Sequence, residues 1–181
     1  GAILRGGGLV VFPTETVYGL GALAASYEAQ QRVFQVKGRD SNKPLTRMAV
    51  SAEEVVTTDQ TSKMVLEQLG QKFWPGPLTL VVKNNENWHG YRIPNHPVAL
   101  ALIREVGELL IVTSANLSGQ PPACTGRGAT EALGNRVDLV LDAGEVTGGV
   151  PSSVVRIDAG RLSMLREGAL SEVEIRRTLG E

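Results

Sequence analysis

The stretch Lys37-Gly38-Arg39-Asp40-Ser41-Asn42-Lys43-Pro44-Leu45 gathers the residues best suited to chemistry. Lys37, Arg39 and Lys43 stand among Gly, Ser, Asn and Pro, a composition poor for a helix interior and good for an irregular loop. Arginine offers phosphate or carboxylate a planar fork, and lysine a mobile point charge, so this loop is built to receive anions. Taken by itself, a solvated basic turn is the plainer reading. Its company changes that. Polar loops at 14–16, 114–116 and 148–153 add hydroxyls, an amide and backbone N–H groups, with no evident nucleophile or general base. Such a set suits a reaction in which the protein positions anions and neutralises phosphate charge while a substrate atom attacks, as in nucleotidyl transfer.

Other chemistries lack their residues. The chain has no Gly-x-x-x-x-Gly-Lys-Ser/Thr loop, no Gly-x-Gly-x-x-Gly and no Gly-x-Ser-x-Gly. His89 and His96 lack metal-ligand spacing and read as a polar turn and as the anchor of a helix start, so no protein-held metal is expected. Cys124 follows Pro121 and Pro122 and reads as structural.

The elements that must position these loops alternate strand with helix. Residues 9–12 form a short apolar run between glycines and Pro13, a buried strand, and 13–21 reads as a loop or strand edge at its end. Ser26 caps a helix that runs into the basic loop, with Glu28 in its first turn. Residues 48–50 read as a short strand, Ser51 to Glu54 as a capping box, and 62–73 as a helix stopped by Trp74-Pro75-Gly76-Pro77. A strand is expected at 78–83, a turn at 84–87, and an extended link from Arg92 to Pro97 into a helix at 98–106, closed by Gly107. Strands at 109–113, 139–141 and 154–157, a helix at 129–133 and a final helix opened by Ser171 complete an α/β pattern. No repeat or domain boundary interrupts it, so one domain over 1–181 is expected.

Bulk composition agrees with this. At 181 residues, 42% hydrophobic and 20% charged, the chain can bury an ordinary globular core. A net charge of -1 argues against general coating of nucleic acid, yet residues 32–47 hold Arg32, Lys37, Arg39, Lys43 and Arg47 against Asp40. One cysteine excludes an intrachain disulfide and fits a reducing cytoplasm. No apolar run approaches a membrane span and no signal peptide is visible, so no membrane partner is expected.

Seven segments in order resemble the YrdC/TsaC family of threonylcarbamoyl-adenylate synthases, covering nearly the whole chain. They are Pro13-Thr14-Glu15-Thr16-Val17-Tyr18-Gly19-Leu20-Gly21, Lys37-Gly38-Arg39 with Lys43-Pro44-Leu45, and Trp74-Pro75-Gly76-Pro77-Leu78-Thr79. Arg92-Ile93-Pro94-Asn95-His96-Pro97, Thr113-Ser114-Ala115-Asn116-Leu117-Ser118-Gly119, Gly148-Gly149-Val150-Pro151-Ser152-Ser153-Val154-Val155 and Leu165-Arg166-Glu167-Gly168 complete the set. The resemblance implies a twisted mixed sheet flanked by helices around a basic concave cavity. It implies that L-threonine, bicarbonate and ATP, with Mg²⁺, give threonylcarbamoyl-AMP and pyrophosphate. The product would serve N6-threonylcarbamoyladenosine formation in tRNA with partner proteins. Lys37, Arg39, Lys43, Ser114, Asn116 and Arg166 would take the nucleotide, with Lys37 and Arg39 catalytic, and Thr16, Arg92 and Ser152 would take threonine.

The chain departs from the family pattern at Leu23, Asp40, Met48, Trp88 and Pro151, which bears on substrate affinity. Two rivals compete with the enzyme. A module docking double-stranded RNA or tRNA needs cations and little else, so Thr16, Asn116 and Ser152 speak against it. A related carbamoyl-transfer domain of hydrogenase maturation proteins would be expected beside zinc-finger or acylphosphatase segments, and none is visible.

Overall fold

The structure is a computed structural model that describes residues 1–41 and 43–181; Asn42 of the basic loop lies outside the described residues. Its centre is a nine-stranded mixed sheet in the order β7-β1-β2-β6-β3-β5-β4-β8-β9. The strands are β1 (Val10–Pro13), β2 (Tyr18–Leu23), β3 (Thr46–Met48), β4 (Leu78–Asn84), β5 (Asn87–Arg92), β6 (Leu110–Ser114), β7 (Leu139–Val140), β8 (Ser153–Asp158) and β9 (Arg161–Arg166). The helices are α1 (Ala2–Arg5), α2 (Tyr27–Lys37), α3 (Gln60–Phe73), α4 (Pro97–Val106), α5 (Gly126–Leu133) and α6 (Glu172–Thr178). Pairs β1/β7, β3/β5 and β4/β8 are parallel, and the other neighbours are antiparallel.

Alternation along the strands divides the sheet into two faces. On one face Val11, Leu20 and Ile111 pack under α2 and α5, and Leu80, Tyr91 and Val155 pack with α3 and α6. Register links these two cores: Ile111 pairs with Arg47, and Arg47 with Tyr91. The opposite face carries Val10, Phe12, Leu110 and Val112 beneath α1 and α4. Helices cover only the β1–β6 end of this second face, and the remainder, over β3, β5, β4 and β8, forms the floor of a cavity.

Most expected elements are present, and capping reflects residue chemistry. The Ser26 side chain accepts from Ala29 N–H at the start of α2, His96 Nδ1 accepts from Val98 N–H at the start of α4, and Ser171 accepts from Glu174 N–H at the start of α6. His96 is therefore the helix anchor its position foretold.

Several readings need correction. The segment 13–21 is only partly a loop, because Tyr18–Leu23 is β2, whose Gly19 and Gly21 conceal a strand pattern. His89 lies in β5 and meets Tyr91 edge-on instead of sitting in a turn. Both β5 (Asn-Trp-His-Gly-Tyr-Arg) and β9 (Arg-Leu-Ser-Met-Leu-Arg) escape the sequence pattern, because polar side chains interrupt the apolar alternation that marks a half-buried strand. Ser51 makes no side-chain cap bond, and the residues after it, Ala52–Glu54, form a single 3-10 turn. Tight hairpin geometry joins β8 to β9: Ala159 and Gly160 both take positive φ, 47° and 75°, the two-residue turn that matches strand twist.

Candidate active site

The cavity, about 330 Å³, is floored by strand residues that share the second face and walled by the polar loops. Thr46, Thr79, Val81 and Gly90 form part of the floor. Gly90 keeps that floor low, since a Cβ there would already touch the Thr79 and Val81 side chains at 3.4 and 3.5 Å.

One wall is the loop after β1. Thr14 folds it into a turn: its hydroxyl donates to Val17 O (2.7 Å) and accepts from the N–H groups of Thr16 and Val17. The Thr14 and Thr16 hydroxyls lie 2.9 Å apart. Arg92, at the end of β5 and 5% exposed, donates through Nη2 to Thr16 Oγ1 (3.0 Å) and through Nε to Gly76 O (3.1 Å). Glu15 Oε1 lies 2.8 Å from the same Nη2. That is a close charge contact off the hydrogen-bond direction, for neither Glu15 oxygen finds an aligned donor among the described residues. Residues 74–78 brace the arginine: Trp74 Nε1 donates to Leu78 O, and Gly76 N–H donates to Ile93 O. The peptide between Trp74 and Pro75 is cis.

The opposite wall comes from the segment entering β8. Ser152 Oγ lies 2.9 Å from Thr79 Oγ1, and the Ser152 carbonyl accepts from Arg166 Nη2 (2.7 Å) and Nε (3.1 Å). Ser153 turns the other way and fastens the chain, with its hydroxyl donating to Leu170 O and accepting from the N–H groups of Gly168 and Leu170. Gly148 packs directly on Glu15 and Thr16, where a Cβ would overlap Glu15 O, so the two walls touch.

Arg39, Arg166 and Ser114 complete the rim. Arg39 donates to Pro44 O (3.1 Å), while its buried Nε has no partner among the described residues. Arg166 is partly exposed, yet desolvation of its guanidinium, then the charges of Arg92 and Arg39, lower its pKa below the ordinary arginine value. Beside that desolvation, three guanidiniums share one small space, and an anion between them would relieve their repulsion.

The structure thus brings Thr16, Arg39, Arg92, Ser114, Ser152 and Arg166 to one cavity. Lys37 and Asn116 are buried behind Ser114, and Lys43 is exposed on the loop; none of these three lines the cavity. Sequence reading missed Thr79, which holds Ser152, and Glu15, which faces Arg92. The signal for both was present, a hydroxyl and a carboxylate inside segments already singled out. Among the departures, Met48 and Pro151 line the cavity, and Trp88 lies under the Arg156 guanidinium, 5.3 Å from its ring centre. Leu23 packs against the core beneath α4.

The described residues include no group of three or more His, Cys, Asp or Glu side chains able to hold a metal, and no helix long and apolar enough to cross a membrane. The Sua5/YciO/YrdC family model, described as "Telomere recombination", matches residues 2–168. The threonylcarbamoyl-AMP synthase of Pyrococcus abyssi is 36% identical over 188 residues, covering 98% of this chain and 55% of that protein. The threonylcarbamoyl-AMP synthase of Bacillus subtilis is 34% identical over 190 residues, covering 99% and 55%. The crystal structure of P. abyssi Sua5 complexed with L-threonine superposes with a TM-score of 0.92 at 36% identity, covering 99% of this chain and 56% of that one. The chain therefore spans about half the length of these relatives.

Proposed function

The chain belongs to the Sua5/YciO/YrdC family, and from that premise we propose that it is a nucleotidyltransferase making threonylcarbamoyl-AMP and pyrophosphate from L-threonine, bicarbonate and ATP. The observation that carries the reading is the donor set of one cavity. Thr16, Arg92 and Ser152 bring hydroxyls and a guanidinium to it from its two facing walls, and Arg39, Ser114 and Arg166 stand at the rim, Arg166 bonded to the Ser152 carbonyl. The first group suits an amino acid: a guanidinium for its carboxylate and hydroxyls for its polar side chain. The second suits phosphate. A relative of the same fold binds L-threonine in its crystal, and the P. abyssi and B. subtilis proteins carry the synthase name.

In this reading the threonine nitrogen bonds to the bicarbonate carbon with loss of water, the new carboxylate oxygen attacks the α-phosphorus of ATP, and the bond to pyrophosphate breaks. The protein supplies no nucleophile. Arg92 and Thr16 orient the attacking anion, while Arg39 and Arg166 stabilise charge that grows on the phosphate oxygens. Among the described residues hydroxyls line the cavity and no acidic cluster does, so they fit Mg²⁺ only as a companion of the ATP phosphates, where it would further neutralise their charge. One continuous sheet supports treating residues 1–181 as a single domain. We place the reaction in the cytoplasm, with the product passing to partner proteins that modify tRNA.

The test is pyrophosphate release from ATP with L-threonine or bicarbonate omitted in turn. Release should need both, and Arg39→Ala should lower it on the order of 10²-fold, as removal of one charge-stabilising donor does elsewhere. Release without threonine would overturn this reading, and none with everything present alongside salt-sensitive tRNA binding would replace it with the RNA-docking one.

A further inference from the structure

Helix α2 ends on Lys37, and the way it ends fixes where that side chain goes. Gly38 takes the left-handed conformation (φ 58°, ψ 42°), which lets its own N–H reach Gln35 O and lets Arg39 N–H reach Phe34 O at 3.0 Å. The last turn is tied down, and Lys37 points inward under the turn at the end of β6.

There its ammonium meets three oxygens: Ser114 O at 2.5 Å, Asn116 O at 2.7 Å and Asn116 Oδ1 at 3.3 Å. An ammonium has three hydrogens and no lone pair, so each of its donors already has a protein acceptor. The clasp is two-sided, because the Lys37 carbonyl accepts from Ser118 N–H at 2.9 Å. Asn116 continues it, donating through Nδ2 to Leu117 O (2.8 Å) and Gln120 O (2.7 Å). Lys37 is 2% exposed and does not line the cavity, whereas Arg39 and Ser114 do. For a phosphate to reach Nζ, it would have to displace a carbonyl and leave that buried acceptor unpaired, which is costly. Burial, and then the charge of Arg39, brings the Lys37 pKa down to about 8, as an enclosed ammonium requires.

We propose that Lys37 is a positioning residue: its ammonium holds the Ser114–Asn116 turn in the shape that presents Ser114 to the phosphate end of the cavity, and Arg39 makes the direct cation contact. This rests on the nucleotidyl-transfer reading for what the turn presents, although the clasp itself can be tested without any turnover. It also explains why a lysine and an arginine two residues apart have such different surroundings. One is consumed by the fold, and the other keeps a buried donor with no partner among the described residues.

Two measurements separate a clasp from a phosphate ligand. The first is hydrogen–deuterium exchange of the ligand-free protein over residues 113–120. Lys37→Met should speed exchange there by about tenfold or more, with α3 unchanged, because local opening becomes easier once its donors are gone. The second is a double-mutant cycle on kcat for pyrophosphate release with Lys37→Met, Ser114→Ala and both together. If Lys37 acts through the turn, the double variant should be little worse than the worse single one. Unchanged exchange overturns the proposal, and so does a cycle in which the two losses multiply. Should Lys37→Met fail to fold, Lys37→Gln serves in its place: it is equally neutral but keeps two donors. Its exchange should fall between wild type and a disordered turn, with kcat at least partly retained. A glutamine variant with wild-type exchange and no activity would mean the charge itself acts on phosphate. An inactive wild-type protein would sink the enzymatic reading while leaving the exchange experiment to decide the clasp.

Discussion

Two cations in this chain are buried for different ends, and the partners of each show which. Arg92 faces the cavity with a hydroxyl, a backbone carbonyl and the Glu15 carboxylate around it. Glu15 makes only a poorly aligned contact with the guanidinium, for which a substrate carboxylate would compete in the proposed reading. Lys37 has no such freedom, and its pKa makes a stability statement that can be checked. Folded, the group titrates near 8; unfolded, near the ordinary 10.5. Between those values the unfolded chain holds the extra proton, so this group's contribution to folding stability becomes more favourable as pH rises from about 8 to 10.5. Below 8 the buried charge costs stability. Urea unfolding of wild type and Lys37→Met at pH 7.5 and pH 10 measures this, taking wild-type stability minus variant stability at each pH. That difference should be larger at the higher pH; one that is flat or falls would show that the lysine is not held as described.

At the level of elements, the cavity exists because the strands beneath it give up bulk on one face. The β4 residues Leu80 and Val82 fill the core under α3 and α6, while Thr79 and Val81 turn to the cavity. In β5, Tyr91 is core, and Gly90 and Arg92 line the cavity. A strand can tolerate glycine there only because its neighbours on both sides are paired in register. Gly90→Val should therefore keep the fold, valine being a good strand residue, and fill the floor between Thr46, Thr79 and Val81. We expect the threonine KM to rise about tenfold or more, the loss of roughly 1.4 kcal/mol of binding, with a melting temperature within a few degrees of wild type. A variant that melts far lower with unaltered KM would mean the glycine serves packing alone.

For the molecule as a whole, a net charge of -1 conceals a strong local asymmetry, because Arg39, Arg92 and Arg166 converge on one concave face. A ligand that bridges them binds only the folded state, so it must stabilise that state. At about a hundredfold excess over its dissociation constant, ATP should add about 2.7 kcal/mol, a rise of about 5–10 °C in Tm for a chain of this size. The shift should shrink as salt is raised, since screening weakens attraction at an open rim. Absence of any shift at millimolar ATP would count against a nucleotide site on this face.

Much of this was legible in the sequence. Buried strands such as β1, β6 and β8, helix caps at Ser26, His96 and Ser171, and the cavity residues Thr16, Arg39, Ser114 and Ser152 announced themselves through short-range chemistry, while Arg92 and Arg166 came from the family resemblance. Hydroxyls in turns, cations after a helix and apolar runs between glycines carry their meaning within a few neighbours. Strands β5 and β9 did not, because polar side chains interrupt the apolar alternation by which strands are known. Nor did the sequence separate Lys37 from Arg39, two cations two residues apart with the same apparent purpose, although Lys37 ends α2 and Arg39 lies beyond it. Their difference arises from residues about eighty positions away, where β6 delivers the carbonyls of Ser114 and Asn116 beneath the end of α2. Residue types and spacing determined which chemistry was available. Tertiary structure decided which charges face the cavity and which are enclosed, because a buried charge takes its role from the partners that long-range packing brings to it.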